Sequence, residues 1–309
     1  MGAQSHQHSH GEGAGHGHHH APPTSSRAFA IAVALNLGFV AIEVVAGIAG
    51  RSMALISDAA HNLSDVLSLL LAWGATWLAR RPAGPGFTYG FKSSSILAAL
   101  ANAALLWVAL GAILVETVQR LANPEPAQGW LMIWVAAAGI GVNAASAALF
   151  AAGRKGDLNV GAAFTHLLAD AAVSAGVVVA GAAVLLTGAA LIDPIASLVI
   201  TLVIGWGSWG LLKDTTRLAL AAVPRGIDEH QVRGWLQTRP GVHAVHHLHI
   251  WAVSTTQTAL TAHLVVPGGA DDGFLATTVQ GLSHEFRIDH ATLQLESGSG
   301  CATAAEKHC

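Results

Sequence analysis

The segments HNLSD at residues 61–65 and HLLAD at residues 166–170 share one spacing, a histidine followed four residues later by an aspartate. Both segments lie inside apolar runs of the chain. Positions i and i+4 lie on the same face of an α-helix, so each segment presents an imidazole and a carboxylate to one place. Two such helices facing each other supply two nitrogens and two oxygens, which is a tetrahedral ligand set suited to Zn²⁺.

Ionisable side chains inside a membrane are costly, about 2.5–3.5 kcal/mol for an aspartate at the centre of a helix. They therefore mark ion pathways or proton relays more often than passive structure. A single His/Asp pair would equally fit a structural hydrogen bond between packed helices. Its repetition in a second span favours a metal site formed by His61, Asp65, His166 and Asp170.

The composition is that of an integral membrane protein. Of the 309 residues, 52% are hydrophobic and 11% are charged, whereas soluble domains carry roughly a quarter charged residues. The two cysteines, Cys301 and Cys309, both lie in the C-terminal tail. This placement argues against a disulfide framework and for a reduced, cytosolic tail. No cleavable signal peptide is predicted, because the chain opens on a polar stretch.

Residues 1–26 are rich in Gly, Ser and His and are predicted to form a disordered cytoplasmic tail. Neutral imidazoles in such tracts bind divalent metals, so the tail is interpreted as a metal-gathering accessory. A purification tag is the alternative, and the irregular spacing of the histidines argues against it.

Six apolar spans follow, each near or above the roughly 20 residues that cross a hydrocarbon core of about 30 Å. They are predicted at Ala28–Ala49, Ala54–Ala79, Ile96–Val118, Trp130–Ala152, Val160–Leu186 and Leu191–Leu212. Basic residues concentrate in the connections after spans two, four and six. The positive-inside rule then places both termini in the cytoplasm.

Two further acids lie at membrane depth, Glu43 in the first span and Asp58 one helical turn before His61. They are candidate way-stations for a proton or a metal ion. The alternative is that they are partners in hydrogen bonds between helices.

After residue 218 the pattern changes to that of a small soluble α+β domain with the order α-β-β-α-β. Its elements are predicted at Ile227–Thr238, His243–Val253, Gln257–Val266, Phe274–Phe286 and Ala291–Glu296.

Histidines cluster on the predicted strands of this domain. Strand alternation puts His247 and His249 on one face and His246 on the other, with His263 opposite one of them. A cytosolic metal site is one interpretation, and solvated strand histidines are the other. The tail offers a further candidate set of thiolate and imidazole ligands, at Cys301, His308 and Cys309.

Several motifs recur in an order and spacing that resemble the cation diffusion facilitator family, specifically its bacterial zinc-exporting branch. The matching segments are GRSMALISDAAHNLSD at 50–65, NVGAAFTHLLAD at 159–170, DPIAS at 193–197 and VHHLHIW at 245–251. The resemblance runs from about residue 26 to residue 296.

The resemblance implies a homodimeric exporter in the inner (plasma) membrane of a bacterium. Its fold would be an all-α membrane bundle of six transmembrane helices with a soluble, ferredoxin-like α+β cytoplasmic domain. The chain would divide into a tail at 1–26, a transport domain at 27–217, a metal-binding and dimerisation domain at 218–296 and a tail at 297–309.

When the roles known in the family are carried over residue by residue, the resemblance implies that the four paired His and Asp residues are the ligands of the transported metal ion. His246, His263 and Glu296 match positions that bind zinc in the cytoplasmic domain of relatives. Zn²⁺ would then be both the substrate and a bound regulatory ion. Ser93 and Ser95 stand where many relatives carry an arginine and a glutamate, which predicts that a charge interlock is absent there.

The predicted function is Zn²⁺/H⁺ antiport by alternating access, because a metal needs deprotonated ligands and its binding expels protons. Cobalt or cadmium as the main substrate is an alternative. A membrane-anchored metal sensor is another, although an anchor needs no buried ligands. An intramembrane metalloenzyme would need an open coordination position and a general base, so the chain is not expected to be an enzyme. The expected partners are Zn²⁺, H⁺, the lipid bilayer and a second copy of the chain, without nucleic acid.

Overall fold

Six long helices precede a small α/β domain. The computed structural model of the chain describes residues 26–79, 81–151 and 158–298, and side chains from residue 33 except at 69, 72, 76, 79, 149–151 and 158–165. The long helices are α1 (Ser26–Ala49), α2 (Met53–Ala79), α3 (Ser94–Ala122), α4 (Gly129–Ala151), α5 (Leu158–Thr187) and α6 (Ile192–Ala219). The domain that follows contains α7 (Glu229–Gln237), β1 (Ala244–Ala252), β2 (Thr258–Val265), α8 (Asp272–Phe286) and β3 (His290–Glu296).

Four helices within the described residues are long and apolar enough to cross a membrane. They are Ser94–Ala122, Gly129–Ala148, His166–Thr187 and Ile192–Ala219. The apolar part described for α1, Val33–Ala49, is shorter. In α2 the polar residues Asp58, His61 and Asp65 interrupt an otherwise apolar sequence. These helices are those of an integral membrane protein, and the count of six spans stays a prediction.

The α6 helix continues seven residues past the predicted end of its span at Leu212, to Ala219. Lys213, Asp214 and Arg217 end the apolar run, but they do not end a helix because they are compatible with helical backbone. Beyond the helix, Arg225 Nε lies 2.6 Å from Asp214 Oδ1 and ties the linker back to α6.

The long helices pack as one bundle, in which α4 lies against α5, α2 against α1 and α3, and α3 against α6, while α1 also contacts α4 and α6 also contacts α2 and α5. A shared core joins them through Leu106 and Ile204 on one side and Met132 and Val177 on the other. The α4–α5 contact is close because of glycine: a Cβ on Gly181 would lie 2.8 Å from the Gly129 carbonyl oxygen. Such small residues let helix backbones approach one another in lipid, where apolar burial gives no driving force.

The small domain is built on a three-stranded sheet in the order β1-β2-β3. The β1–β2 pair is antiparallel and the β2–β3 pair is parallel, with α8 as the crossover. Val232 and Leu236 of α7 and Leu282 of α8 pack on Leu260 and Leu264 of the central strand. The alternating apolar residues of β2 therefore form the centre of this core.

A β-bulge interrupts β1 between His246 and His249. His247 adopts a left-handed conformation there, with φ at 47°. The extra residue resets the alternation, so His246 and His247 both approach His263, with ring centroids 5.1 Å and 5.0 Å away. The prediction that His246 lies on the face opposite to His247 is therefore wrong.

The α/β domain docks on the loop before α3. Ser93 Oγ donates to the Val253 carbonyl oxygen at 3.1 Å, and the Thr255 amide donates to Ser95 Oγ at 3.1 Å. Lys92 Nζ lies 3.2 Å from His290 Nε2. The serines at the positions singled out in the sequence thus contact the domain through neutral hydrogen bonds.

The close approach of α4 and α5 gives a stability prediction. Gly181→Ala should destabilise the folded protein by about 1–3 kcal/mol, because the new methyl group overlaps the Gly129 carbonyl and the Met132 side chain. Gly176→Ala, on the same helix with no atom within 4 Å of the added Cβ, is the matched control. Thermal unfolding in detergent measures both, and equal unfolding temperatures would contradict the packing.

Candidate metal centre

The four paired residues converge between α2 and α5. The two helices run in opposite directions, so His61 is level with Asp170 and Asp65 is level with His166. His61 Nε2 lies 3.2 Å from Asp170 Oδ1 and 3.8 Å from Asp65 Oδ2. His166 Nε2 lies 3.4 Å from Asp65 Oδ2 and 3.5 Å from Asp170 Oδ2. The i,i+4 spacing on each helix and the antiparallel packing together make one cluster.

The dimensions of this cluster suit a tetrahedral zinc ion. With metal–ligand bonds of about 2.0–2.1 Å, ligand atoms at the corners of a tetrahedron lie about 3.3–3.4 Å apart. The four nitrogen–oxygen distances, 3.2, 3.4, 3.5 and 3.8 Å, bracket that value, with one oxygen of Asp170 facing His61 and the other facing His166. Taking one ligand atom per residue, His61, Asp65 and Asp170 lie within 4.8 Å of one another. Two carboxylates also balance the two charges of a divalent cation, which matters where the surroundings are apolar.

A second polar group lies one helical turn from the cluster, on the side away from the α/β domain. Glu43 Oε2 accepts a hydrogen bond from Asn62 Nδ2 at 2.9 Å, and Asp58 Oδ2 accepts one from Ser174 Oγ at 3.0 Å. The two carboxyl groups are fully buried and neighbour each other. Among the described residues, neither Glu43 Oε1 nor Asp58 Oδ1 has a hydrogen-bond donor. The two acids therefore lie close together, which both predicted roles require, that of a way-station and that of an interhelical hydrogen-bond partner.

A separate cluster lies on the sheet of the α/β domain. Glu296, at the end of β3, lies 3.0 Å from His246 Nε2 and 2.9 Å from His263 Nδ1. The register pairs His246 with His263 across the β1–β2 ladder, which places both rings over the end of β3. His247 contributes a third ring to this group, whereas His249 is exposed. Two imidazoles and one carboxylate with ligand atoms within 4.8 Å of one another form a chemically suitable set for zinc.

The ionisation state of the Glu296 carboxyl group favours metal binding at neutral pH. Desolvation raises the pKa of its carboxyl group, but the hydrogen bond from His263 and the neighbouring His246 outweigh that effect, so the pKa lies below the usual range of a glutamate. Glu296 is thus ionised at neutral pH and offers its carboxylate to a metal without first losing a proton.

The remaining candidate ligands lie outside the described residues. These are the histidine-rich N-terminal tail and the set in the C-terminal tail, Cys301, His308 and Cys309.

Comparison with known proteins agrees with this layout. Residues 29–218 match the family described as the cation efflux transmembrane domain, and residues 224–298 match the cation efflux protein cytoplasmic domain. The chain belongs to the cation efflux family. The resemblance predicted from the motifs is thereby confirmed.

Relatives within the cation efflux family span most of the chain. The zinc transporter ZitB of Escherichia coli is 35% identical over 265 residues, covering 85% of this chain and 84% of that protein. The metal cation efflux system protein CzcD of Cupriavidus metallidurans is 36% identical, with coverage of 84% and 82%. The cadmium, cobalt and zinc/H(+)-K(+) antiporter of Bacillus subtilis is 30% identical, with coverage of 84% and 85%. A solved structure of the metal-bound C-terminal domain of the CzcD transporter covers 23% of this chain and 99% of that one, at 33% identity and a TM-score of 0.21.

Sequence reasoning missed two residues that this cation efflux protein places beside its cluster of paired His and Asp residues. Ser174 continues the i,i+4 series of His166 and Asp170 along α5, and that spacing is a signal that could have identified it. Asn62 follows His61 directly, but its side chain contacts a different helix, α1, where it donates a hydrogen bond to Glu43. No local spacing predicts that contact.

The cytoplasmic cluster generates a binding prediction. Glu296→Gln should weaken Zn²⁺ binding by about 10–100-fold or more, since loss of even an outer-shell partner of a metal ligand has an effect of that size. Competition titration of the full chain, with Asp170→Ala introduced to remove the transmembrane site, measures the change.

Glu285→Gln is the control for this measurement. Glu285 also lies beside a histidine, with Oε1 3.4 Å from His284 Nδ1, but both side chains are largely exposed. A loss of affinity as large in Glu285→Gln as in Glu296→Gln would contradict the assignment.

Proposed function

We propose that this divalent metal cation efflux transporter is a Zn²⁺/H⁺ antiporter that moves zinc out of the cytoplasm by alternating access. The observation that carries the proposal is the convergence of His61, Asp65, His166 and Asp170 at zinc-like spacing between two antiparallel helices. Zinc transport by a relative 35% identical over most of the chain supports the choice of metal.

The division of the ligands between two helices supports alternating access. A complete set of four protein ligands holds zinc firmly, as structural sites do. Release then requires that α2 and α5 separate or that the ligands take up protons. Because each helix carries one imidazole and one carboxylate, a small separation of the helices removes half of the ligands at once.

Proton exchange follows from the same residues. Zinc binds neutral imidazole and ionised carboxylate, so loading expels protons and protonation expels zinc. The pair Glu43 and Asp58 is a candidate way-station for those protons. Two neighbouring buried carboxylates repel one another when both are charged, and a proton taken up from the far side would relieve that repulsion.

The proposed setting is the inner membrane of a bacterium, with six spans and both termini in the cytoplasm. The contacts of the α/β domain with the loop before α3 support this orientation, because they put the domain beside the basic connection between α2 and α3. We take residues 1–26, 27–217, 218–296 and 297–309 as tail, transport domain, metal-binding dimerisation domain and tail. In this proposal the protein forms a dimer with a second copy of the chain. A zinc ion bound by His246, His263 and Glu296 cross-links the strands of the sheet.

Cobalt or cadmium as the main cargo is the second candidate. It is favoured by the broader metal range in the name of the Bacillus subtilis relative. The mixed nitrogen and oxygen ligand set favours zinc over hard cations but separates these three metals poorly.

Zinc flux into inside-out proteoliposomes with an opposing pH gradient tests the transport site. Asp170→Ala and His166→Ala should each abolish flux, because each leaves only three protein ligands; Asp170→Ala also removes one of the two charges that balance the cation. Glu116→Gln is the matched control, since Glu116 pairs with Arg120 on the half-exposed surface of α3. Normal flux in either ligand variant would show that the site is elsewhere. Zinc bound by the wild-type protein without flux under any gradient would favour a membrane-anchored sensor.

Glu43→Gln tests the proton way-station in the same assay. The amide keeps the size of the side chain and a hydrogen bond with Asn62 but holds no exchangeable acid proton. Flux driven by the pH gradient should fall at least about tenfold, while zinc affinity changes little, because Glu43 is not one of the four ligands. Asn143→Ala, which alters another buried polar residue of the bundle, is the comparison. Gradient-driven flux at the wild-type rate in Glu43→Gln would leave Glu43 as an interhelical partner only.

A further inference from the structure

Both ligand-bearing helices carry one more polar residue beyond the metal cluster and then an apolar one, all on the same helix face. Residues three or four positions apart share a face of a helix. The series are His61, Asp58 and Leu55 on α2, and Asp170, Ser174 and Val177 on α5. Asp58 and Ser174 meet through the hydrogen bond of 3.0 Å. The polar seam between α2 and α5 therefore ends at Leu55 and Val177, toward the outer end of the bundle, which is the end away from the α/β domain.

Tightly buried apolar side chains close the outer end of this seam. Leu55 and Val177 are both 0% exposed. They belong to one continuous apolar core that also contains Met132 of α4, which is equally buried, and Ala46 of α1. Four helices, α1, α2, α4 and α5, thus contribute to a single apolar layer beyond the polar groups.

The inner end of the same seam is more open. The side chain of Asp65, on the side of the cluster toward the α/β domain, is 33% exposed, whereas that of Asp170 is 6% exposed. A carboxylate that faced hydrocarbon would be unstable, so the exposure of Asp65 indicates that water reaches it. The metal cluster is therefore more accessible from the inner end than from the outer end.

An apolar layer of this kind resists the passage of ions. A zinc ion or a proton that leaves its ligands needs water or another polar group around it, and the side chains of Leu55 and Val177 offer none. Channels use apolar constrictions as gates, which conduct when the side chains part and water enters.

We propose that Leu55 and Val177 form the outer gate of the ion path, so that the structure is the inward-open state and zinc leaves outward only when these two side chains part. This inference rests on the transport function proposed above. It places Asp58 between the gate and the metal cluster. A proton from the outer side then reaches that acid only while the gate is open.

Side-specific labelling of a cysteine at the gate tests this assignment. Val177→Cys changes the size of the side chain little, and Cys301→Ser with Cys309→Ser makes the new thiol unique, since the chain has two cysteines. Inside-out proteoliposomes hold a charged, membrane-impermeant methanethiosulfonate reagent in the lumen, which is the outer side. Labelling should be slow without zinc and at least about tenfold faster during zinc transport driven by a pH gradient, because each cycle opens the gate to water.

Leu110→Cys is the matched control in the same background. Leu110 belongs to the same core and is 4% exposed, but it lies on α3, beside Gly205 of α6. Its labelling should stay slow with and without zinc. Addition of Asp170→Ala to the Val177→Cys protein should also keep labelling slow, because a protein without the transport site does not complete the cycle.

Leu55→Asn gives a second test that needs no zinc cycle. The amide brings water into the apolar layer while the inner end stays open, so an imposed pH gradient should decay at least about fivefold faster than with the wild type in zinc-free proteoliposomes. Leu110→Asn puts the same amide elsewhere in the core and should leave the decay at the wild-type rate. The proteins are compared at equal Asp170-dependent zinc binding, so that misfolded chains do not contribute.

The outcomes separate the two proposals. If the wild-type protein moves no zinc, the transport function fails and this inference fails with it. If the wild type transports but the thiol at position 177 is labelled no faster during transport than at rest, only the gate is overturned. Equal acceleration in Leu110→Cys would show a general loosening of the bundle and would overturn it as well. If Val177→Cys does not fold or does not transport, Leu55→Asn decides, and decay of the gradient at the wild-type rate overturns the gate.

Discussion

Two carboxylates and two imidazoles face one another in an apolar bundle, and the rest of the molecule is built around the need to neutralise them. Charged groups in such surroundings are stabilised only by a counter-charge or by protons. In the proposed exchange, a divalent cation supplies two charges against Asp65 and Asp170, and protons on His61 and His166 supply the same when the cation leaves. Under this proposal the contact between α2 and α5 is held by either of two kinds of ion, as exchange of one for the other requires.

This constraint explains why different helices are joined by different chemistry. α4 and α5 meet through small residues such as Gly129 and Gly181, which fixes one close packing arrangement. At its N-terminal end, α2 is joined to α6 through hydrogen bonds of Asp193 and of serine hydroxyls. These bonds are directional and hold the two helices in one register. Between these two sets lies a seam of ionisable groups whose attraction depends on what is bound.

The sequence predicts those parts of the structure that are set by local geometry. The spacing of His61 with Asp65 predicts a shared helix face, and the observed distances agree because a helix repeats regardless of its surroundings. The same reasoning fails at His246 and His247, where a bulge set by pairing with β2 overrides strand alternation. The cap of α2 by Asp193 is beyond local patterns altogether, since the partners are about 140 positions apart.

The two metal-ligand clusters lie at different depths of one connected structure. His246 is near the start of β1 and Glu296 at the end of β3, and these strands run in opposite directions across the sheet. Their other ends lead to Val253 and His290, which contact the loop before α3. Six residues of extended strand separate the ends, about 20 Å at 3.3 Å per residue. An ion that fixes one end of these strands would also restrict the motion of their other end. Because α3 packs against α2, the regulatory ion proposed for the cytoplasmic cluster has a continuous structural route to the helix that carries half of the transport ligands.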